Sequence, residues 1–178
     1  MRILRFMLVL AVSVTAVGAL SIDAAQATSS LFKTAPTCTV SATSSSSSST
    51  TCNVTLSGNN KSRNLRADVT TAGFAVYQCQ NADGTVTAGQ NQVRVDGLMS
   101  STSVPTGSHA TFTTNPAVLT APSTVSAQQA GCADGSTVAG PTLTTTSITL
   151  AINNGSINSA PCTASDPNGL SGTVALSC

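Results

Sequence analysis

The chain has no tryptophan and no glutamate, and its only histidine is His109. Each absence excludes something. Aromatic residues are 3% of the chain, so the core must be built from small and β-branched side chains, which pack on stacked sheets better than between helices. Good helix formers such as Glu, Lys and Leu are scarce, which points the same way. Charged residues are 7% and the formal net charge is +1, so no field favours a nucleic-acid or anionic-membrane partner. Beyond residue 27 no stretch approaches the roughly 18 uninterrupted apolar residues of a membrane span. No C-x-x-C or Cys/His spacing of a zinc site occurs.

The first residues, "MRILRFMLVLAVSVTAVGALSIDAAQA", run from basic (Arg2, Arg5) through apolar to small. That order predicts a secretory signal peptide over residues 1–27, cleaved after Ala27. The remaining 28–178 suit a single exported domain. Its acids, Asp68, Asp83, Asp96, Asp134 and Asp166, balance Lys33, Lys61, Arg63, Arg66 and Arg94. The one basic cluster, "KSRNLR", reads as a solvated loop. Cys38, Cys52, Cys79, Cys132, Cys162 and Cys178 all follow the signal. An even count in an exported chain predicts disulfides, although many connectivities are allowed. The reading adopted is pairing in chain order: Cys38 with Cys52, Cys79 with Cys132, Cys162 with Cys178.

Alternating segments "TCTVSAT" and "TTCNVTLSG" flank the serine run 44–49, which predicts a hairpin with a flexible Ser-rich tip and with Cys38 opposite Cys52. "RADVTTAGFAVYQC" is the strongest strand pattern, and its two apolar faces predict a central position. "NQVRVDG" reads as half-exposed, "HATFTT" as weaker, and "NPAVLTAPSTV", broken by Pro116 and Pro122, as an edge or crossing. "TLTTTSITLAI" alternates again. Asn154-Gly155 predicts a type I′ turn, and "DPNG", Asp166–Gly169, another turn before the closing strand "GTVALSC". About seven to nine strands follow, in an antiparallel immunoglobulin-like β-sandwich. The Cys-Trp-Cys pattern of true immunoglobulin domains is missing.

Two stretches echo each other: "CQNADGTVTAGQ" from Cys79 and "CADGSTVAG" from Cys132. As a carboxylate pair for sugar hydrolysis, Asp83 and Asp134 lack a glutamate partner and a tryptophan to stack a ring. As calcium loops in the Asn-x-Asp-Gly register, the first echo puts Cys79 and Gln90 at the anchoring positions, and the second puts Ala130 and Pro141 there. Asp-Gly turns explain both without a ligand. His109 is the only base for a serine nucleophile, and no nucleophile elbow accompanies it. Sequons stand at Asn53, Asn60 and Asn154. No catalytic residue, metal or cofactor is expected.

The strand ending "YQCQNADGTVTAGQN", the later "GCADG", the Thr-rich strand and the terminal "LSC" resemble small, uncharacterised exported all-β proteins of actinobacterial type. In those proteins a cysteine precedes an Asn/Gly-rich loop ending in Gly-Gln-Asn, here Gly89, Gln90 and Asn91. The resemblance spans Asp68–Cys178 and implies export, an all-β fold and, in particular, a Cys79–Cys132 bond; it implies no activity. Where such proteins have two prolines before Gly-Gln-Asn, this chain has Thr87-Ala88. In composition alone the chain is similar to secreted carriers of antitumour antibiotics, a likeness at the level of fold. The expectation is a non-enzymatic extracellular binding or structural module with an unknown extracellular or cell-surface partner. Its candidate recognition loops hold Asn81, Asp83, Gly84, Gln90, Asn91, Asp134 and Gly135. The alternatives are a small-molecule carrier with an apolar cleft between its sheets and, third, a secreted hydrolase.

Overall fold

A computed structural model describes residues 31–58, 64–154 and 161–178. The strands, in chain order, are β1 (Thr37–Ser44), β2 (Ser47–Thr55), β3 (Arg66–Gln80), β4 (Val86–Ala88), β5 (Val93–Asp96), β6 (Ser100–Ser103), β7 (Thr111–Thr113), β8 (Ala117–Thr120), β9 (Thr137–Asn153), β10 (Cys162–Ser165) and β11 (Gly172–Ala175). One short helix, α1 (Ala127–Ala130), precedes β9. Two antiparallel sheets result. In the five-stranded sheet β1 and β2 are central, with β11 beside β1 and with β7 and β8 both beside β2. In the six-stranded sheet the order is β10-β9-β3, and β4, β5 and β6 share the far side of β3.

The eleven described strands exceed the expected seven to nine for one reason. A single long strand, β3, is covered on one side by three short strands in succession, and of these only β5, within "NQVRVDG", alternates for long enough to read. Its other side pairs with β9 over the full register from Arg66↔Asn153 to Gln80↔Thr137. This confirms the central position of β3. Its alternation works as period two requires: Val69, Ala75, Tyr77 and Cys79 are buried, while Phe74 and Val76 are only half covered on the opposite face.

Burial follows two apolar clusters along β3. One gathers Val54, Leu56, Val69, Ile148, Leu150 and Leu176; the other gathers Ala75, Tyr77, Val95, Leu119, Ala121 and Ala130. Each fully buried Leu, Ile or Val stabilises the fold by about 1.5–3 kcal/mol. The core also contains hydroxyls: Ser48, Thr50, Thr71 and Thr145 are all buried. Ser48 Oγ and Thr145 Oγ1 lie 2.8 Å apart and so join β2 of one sheet to β9 of the other.

The serine run departs from expectation. The hairpin is centred there, with Cys38 opposite Cys52, but only Ser45 and Ser46 form the turn, and Ser47–Ser49 belong to β2. The tip is not free either, because the Ser45 carbonyl accepts the Leu143 amide of the other sheet at 2.8 Å. A serine run packs here because the opposite sheet supplies a hydroxyl at the right depth.

Other expectations hold. "NPAVLTAPSTV" supplies the edge strand β8 beside β2. In "DPNG", Asp166 Oδ1 accepts the Asn168 amide at 2.8 Å and Gly169 has φ 111°. The disulfides are Cys38–Cys52, Cys79–Cys132 and Cys162–Cys178, the pairing in chain order, and such a set suits an oxidising compartment. The signal-peptide reading and the Asn154-Gly155 turn involve residues outside those described, as do Asn60, Lys61 and Arg63. Among the described residues no helix is long and apolar enough to cross a membrane.

Candidate functional site

The two echoed loops meet. β3 ends at Gln80, and the chain turns through Asn81–Thr85 into β4: the Asn81 amide donates to Thr85 O and the Gly84 amide to Asn81 O, both at 2.9 Å. Asp83 Oδ1 accepts the Thr85 amide at 2.9 Å. The amide and hydroxyl of Thr85 hold the Asp83 carboxyl below the ordinary carboxylate range. Gly84, at φ 84°, supplies the left-handed residue that the turn demands. Before β9 the Ser136 amide donates to Ala133 O at 3.1 Å, closing the Asp134-Gly135 turn with Gly135 at φ 82°.

The Cys79–Cys132 bond joins the bases of the two turns. Ser136 Oγ donates to Asn81 Oδ1 at 2.8 Å and joins them nearer the tips. They form one exposed ridge at the end of the six-stranded sheet.

Gly89, Gln90 and Asn91 do a different job. The Asn91 amide donates to Ala130 O at 3.2 Å and its Nδ2 to Gln128 O at 3.0 Å. These carbonyls end α1, where Gly131 adopts φ 72°. At the other end Ser126 Oγ accepts the Gln129 amide, and Gln129 Oε1 accepts the Ser126 amide, a capping box. A four-residue helix has little stability of its own, so α1 depends on caps at both ends. Gly89 is required by proximity, since a Cβ there would sit 2.3 Å from Ala130 O. The Gly-Gln-Asn motif is therefore a clamp on α1.

Of the residues assigned to recognition loops, Asn81, Asp83 and Asn91 thus spend their side chains on internal hydrogen bonds. Gln90 and Asp134 are exposed; no hydrogen bond among the described residues engages their side chains. His109 lies far along the chain, exposed, with φ 56° and its amide donating to Gly58 O at 2.9 Å. Asn53 is exposed on β2 and accepts a hydrogen bond from Thr113 Oγ1. Among the described residues no group of His, Cys, Asp or Glu is arranged to hold a metal ion.

Among the described residues the most enclosed carboxylate, Asp68, is 5% exposed. Ser101 Oγ donates to its Oδ1 at 2.6 Å, Asn153 Nδ2 to its Oδ2 at 2.7 Å, and Arg66 Nε lies 2.9 Å from Oδ1. Burial opposes its ionisation, but these hydrogen bonds and the guanidinium charge outweigh burial and leave its pKa below the ordinary value. The cluster ties β3 to β6 and β9, and every polar atom of the carboxylate is engaged.

Sequence reasoning missed one of two openings. A groove of about 510 Å³ runs beside the ridge, with Tyr77, Val125, Ala127, Val138 and Pro141 in its lining. The Tyr77 hydroxyl donates to Pro122 O at 2.6 Å and holds one wall; burial raises the phenol pKa. Gly140-Pro141 inside a strand was the available signal, since such residues mark bulges and edges. A second opening, of about 250 Å³, lies between the sheets against Val40, Ser48, Leu143 and Leu170. No family model matches the chain, and neither the curated proteins nor the solved structures contain a match to it.

Proposed function

We propose that the chain is an exported, non-enzymatic β-sandwich of immunoglobulin-like architecture that acts as an extracellular or surface binding or structural module. One observation carries this reading. The Asp83-Gly84 and Asp134-Gly135 turns are fused by the Cys79–Cys132 bond and the Asn81–Ser136 hydrogen bond into one rigid ridge. That ridge presents Asp134 to solvent, and Gln90, whose amide donates to Gly131 O at the base of the second turn, is exposed beside it. Loops on a rigid scaffold are where recognition concentrates, and rigidity lowers the entropic cost of binding. Export rests on the signal-peptide pattern of residues 1–27 together with the disulfides.

The test immobilises the oxidised chain, with and without Gln90→Ala and Asp134→Ala together, and exposes it to the native extracellular milieu. Retention by the parent and loss with the double variant is the expected result. Retention of nothing by the parent, or equal retention by both, overturns the reading. The first residue of the secreted protein, expected to be Thr28, checks export.

The carrier reading rests on the opening between the sheets. Its volume of about 250 Å³ falls below the roughly 300–1,000 Å³ of small-molecule sites, which places it second.

A further inference from the structure

Strand β9 is paired by β3 along its whole length on one side, but on the other side β10 pairs it only from Ser147, opposite Ser165 where β10 ends, to Leu150. The Thr145 and Thr146 carbonyls accept the Leu170 and Asp166 amides, and the Leu143 amide donates to Ser45 O. From Thr137 to Thr142 that edge is unpaired.

The direction of its backbone groups follows from the ladder. In an antiparallel sheet the N–H and C=O of one residue point to the same side, and sides alternate along the strand. Tyr77 O accepts the Gly89 amide, so Tyr77 points toward β4. Its partner on β9, Pro141, therefore points its carbonyl away from β3. Cys79, two residues on, has the same parity, so its partner Val138 also points its N–H and C=O outward. No hydrogen bond among the described residues reaches these groups. They open on the groove of about 510 Å³, whose lining from Tyr77 and Ser123 to Val138 and Pro141 carries no charged side chain.

We infer that this edge takes a short, uncharged, extended peptide segment of a partner protein by β-strand addition. Backbone groups without partners beside a half-apolar groove are the elements of that recognition mode. The length is limited at both ends. Gly140 is an extra residue bulged between the Ala139 and Pro141 pairings, and Pro141 has no N–H to donate. The other end stops at the Asn81–Ser136 bond. A bulge and a proline on an edge hinder extended pairing with a second full strand, which favours a short segment over a second copy of this chain. The inference rests on the binding-module reading and places the contact beside the ridge.

The experiment titrates the blocked peptide Ac-Thr-Val-Thr-Val-Thr-NH2 into the oxidised, isotope-labelled chain and follows its amide resonances. Saturable shifts confined to Val138, Ala139, Thr142 and Ser123–Val125 are expected. A backbone N-methylated form of the peptide should bind about 10-fold more weakly or worse, having lost donors to Val138 and Pro141 carbonyls. Ala127→Trp, which fills the groove, should abolish the shifts at an unchanged melting temperature; Ser123→Trp serves if the first variant unfolds. Absence of shifts at millimolar peptide, shifts elsewhere, equal binding of the N-methylated form, or binding to a filled groove overturns the inference. So does a dimer in light scattering that Ala127→Trp disperses, since the occupant would then be a second copy. If Ala127→Trp leaves capture from the extracellular milieu intact, the peptide site fails while the binding-module reading stands; a parent that captures nothing fails that reading itself.

Discussion

Removing the Cys79–Cys132 bond releases the largest covalently closed loop of the fold. Its sequence separation is 53, against 14 for Cys38–Cys52 and 16 for Cys162–Cys178. The three loops follow one another without overlap, so each bond constrains its own stretch of unfolded chain and the losses should add. Loop-closure entropy assigns ~4 kcal/mol to the middle bond and ~3 kcal/mol to each short one. For a chain of this size, 1 kcal/mol corresponds to roughly 2–4 °C in Tm, so Cys79→Ala with Cys132→Ala should melt about 8–16 °C below the parent. Alanine is the cleaner substitution, since Cys79 is 3% exposed and a serine hydroxyl there would add a burial penalty of its own. Scanning calorimetry on this variant, beside Cys162→Ala with Cys178→Ala, ranks the two bonds. An equal or smaller loss for the middle pair would refute the loop-length argument.

Thr145→Val should cost about 1–3 kcal/mol by leaving the buried Ser48 hydroxyl without its partner, while adding Ser48→Ala should restore much of that; equal denaturation midpoints for the single and double variants would contradict the bridge. Gly89→Ala should cost about 1–3 kcal/mol, because its Cβ would meet Ala130 O at 2.3 Å, and should speed hydrogen exchange at Asn91 and Ala130; an unchanged midpoint and exchange would dismiss the clamp on α1. Asp68 has a lowered pKa in the folded state, so its contribution is complete above its unfolded value, near pH 4, and disappears as pH falls through the folded value. Asp68→Asn should flatten stability against pH in that acid range, and an unaltered slope would sink the assignment.

How much of this was legible in the sequence depended on the range of the interactions. The Asp83-Gly84, Asp134-Gly135 and Asp166–Gly169 turns depend on local backbone chemistry, and their residues name them. The Cys38–Cys52 bond and the central position of β3 follow from alternation within one segment, whereas the Cys79–Cys132 bond was what the resemblance implied. Ser48 and Thr145 were not legible, because 97 residues separate them and burial of a hydroxyl depends on what the opposite sheet offers. The role of Asn91 was hidden for the same reason: it caps a helix too short to show any periodicity. The open edge of β9 was also hidden, since it depends on where β10 ends, and alternation alone cannot say which side of a strand lacks a neighbour.

The serine run has a further consequence for the register of β1 and β2. Six identical residues, Ser44–Ser49, offer a slipping strand the same side chain at every step, so the run itself cannot tell one alignment from the next. A slip of one residue would nevertheless turn Thr50, Cys52 and Val54 from the interior to the solvent. The Cys38–Cys52 bond fixes the count, because those residues face each other only in the observed alignment. A gene that gained or lost a single serine codon here would change no local chemistry, yet the disulfide would force the surplus or deficit into the turn. Tolerance of such length variants should therefore fail in the reduced chain before it fails in the oxidised one.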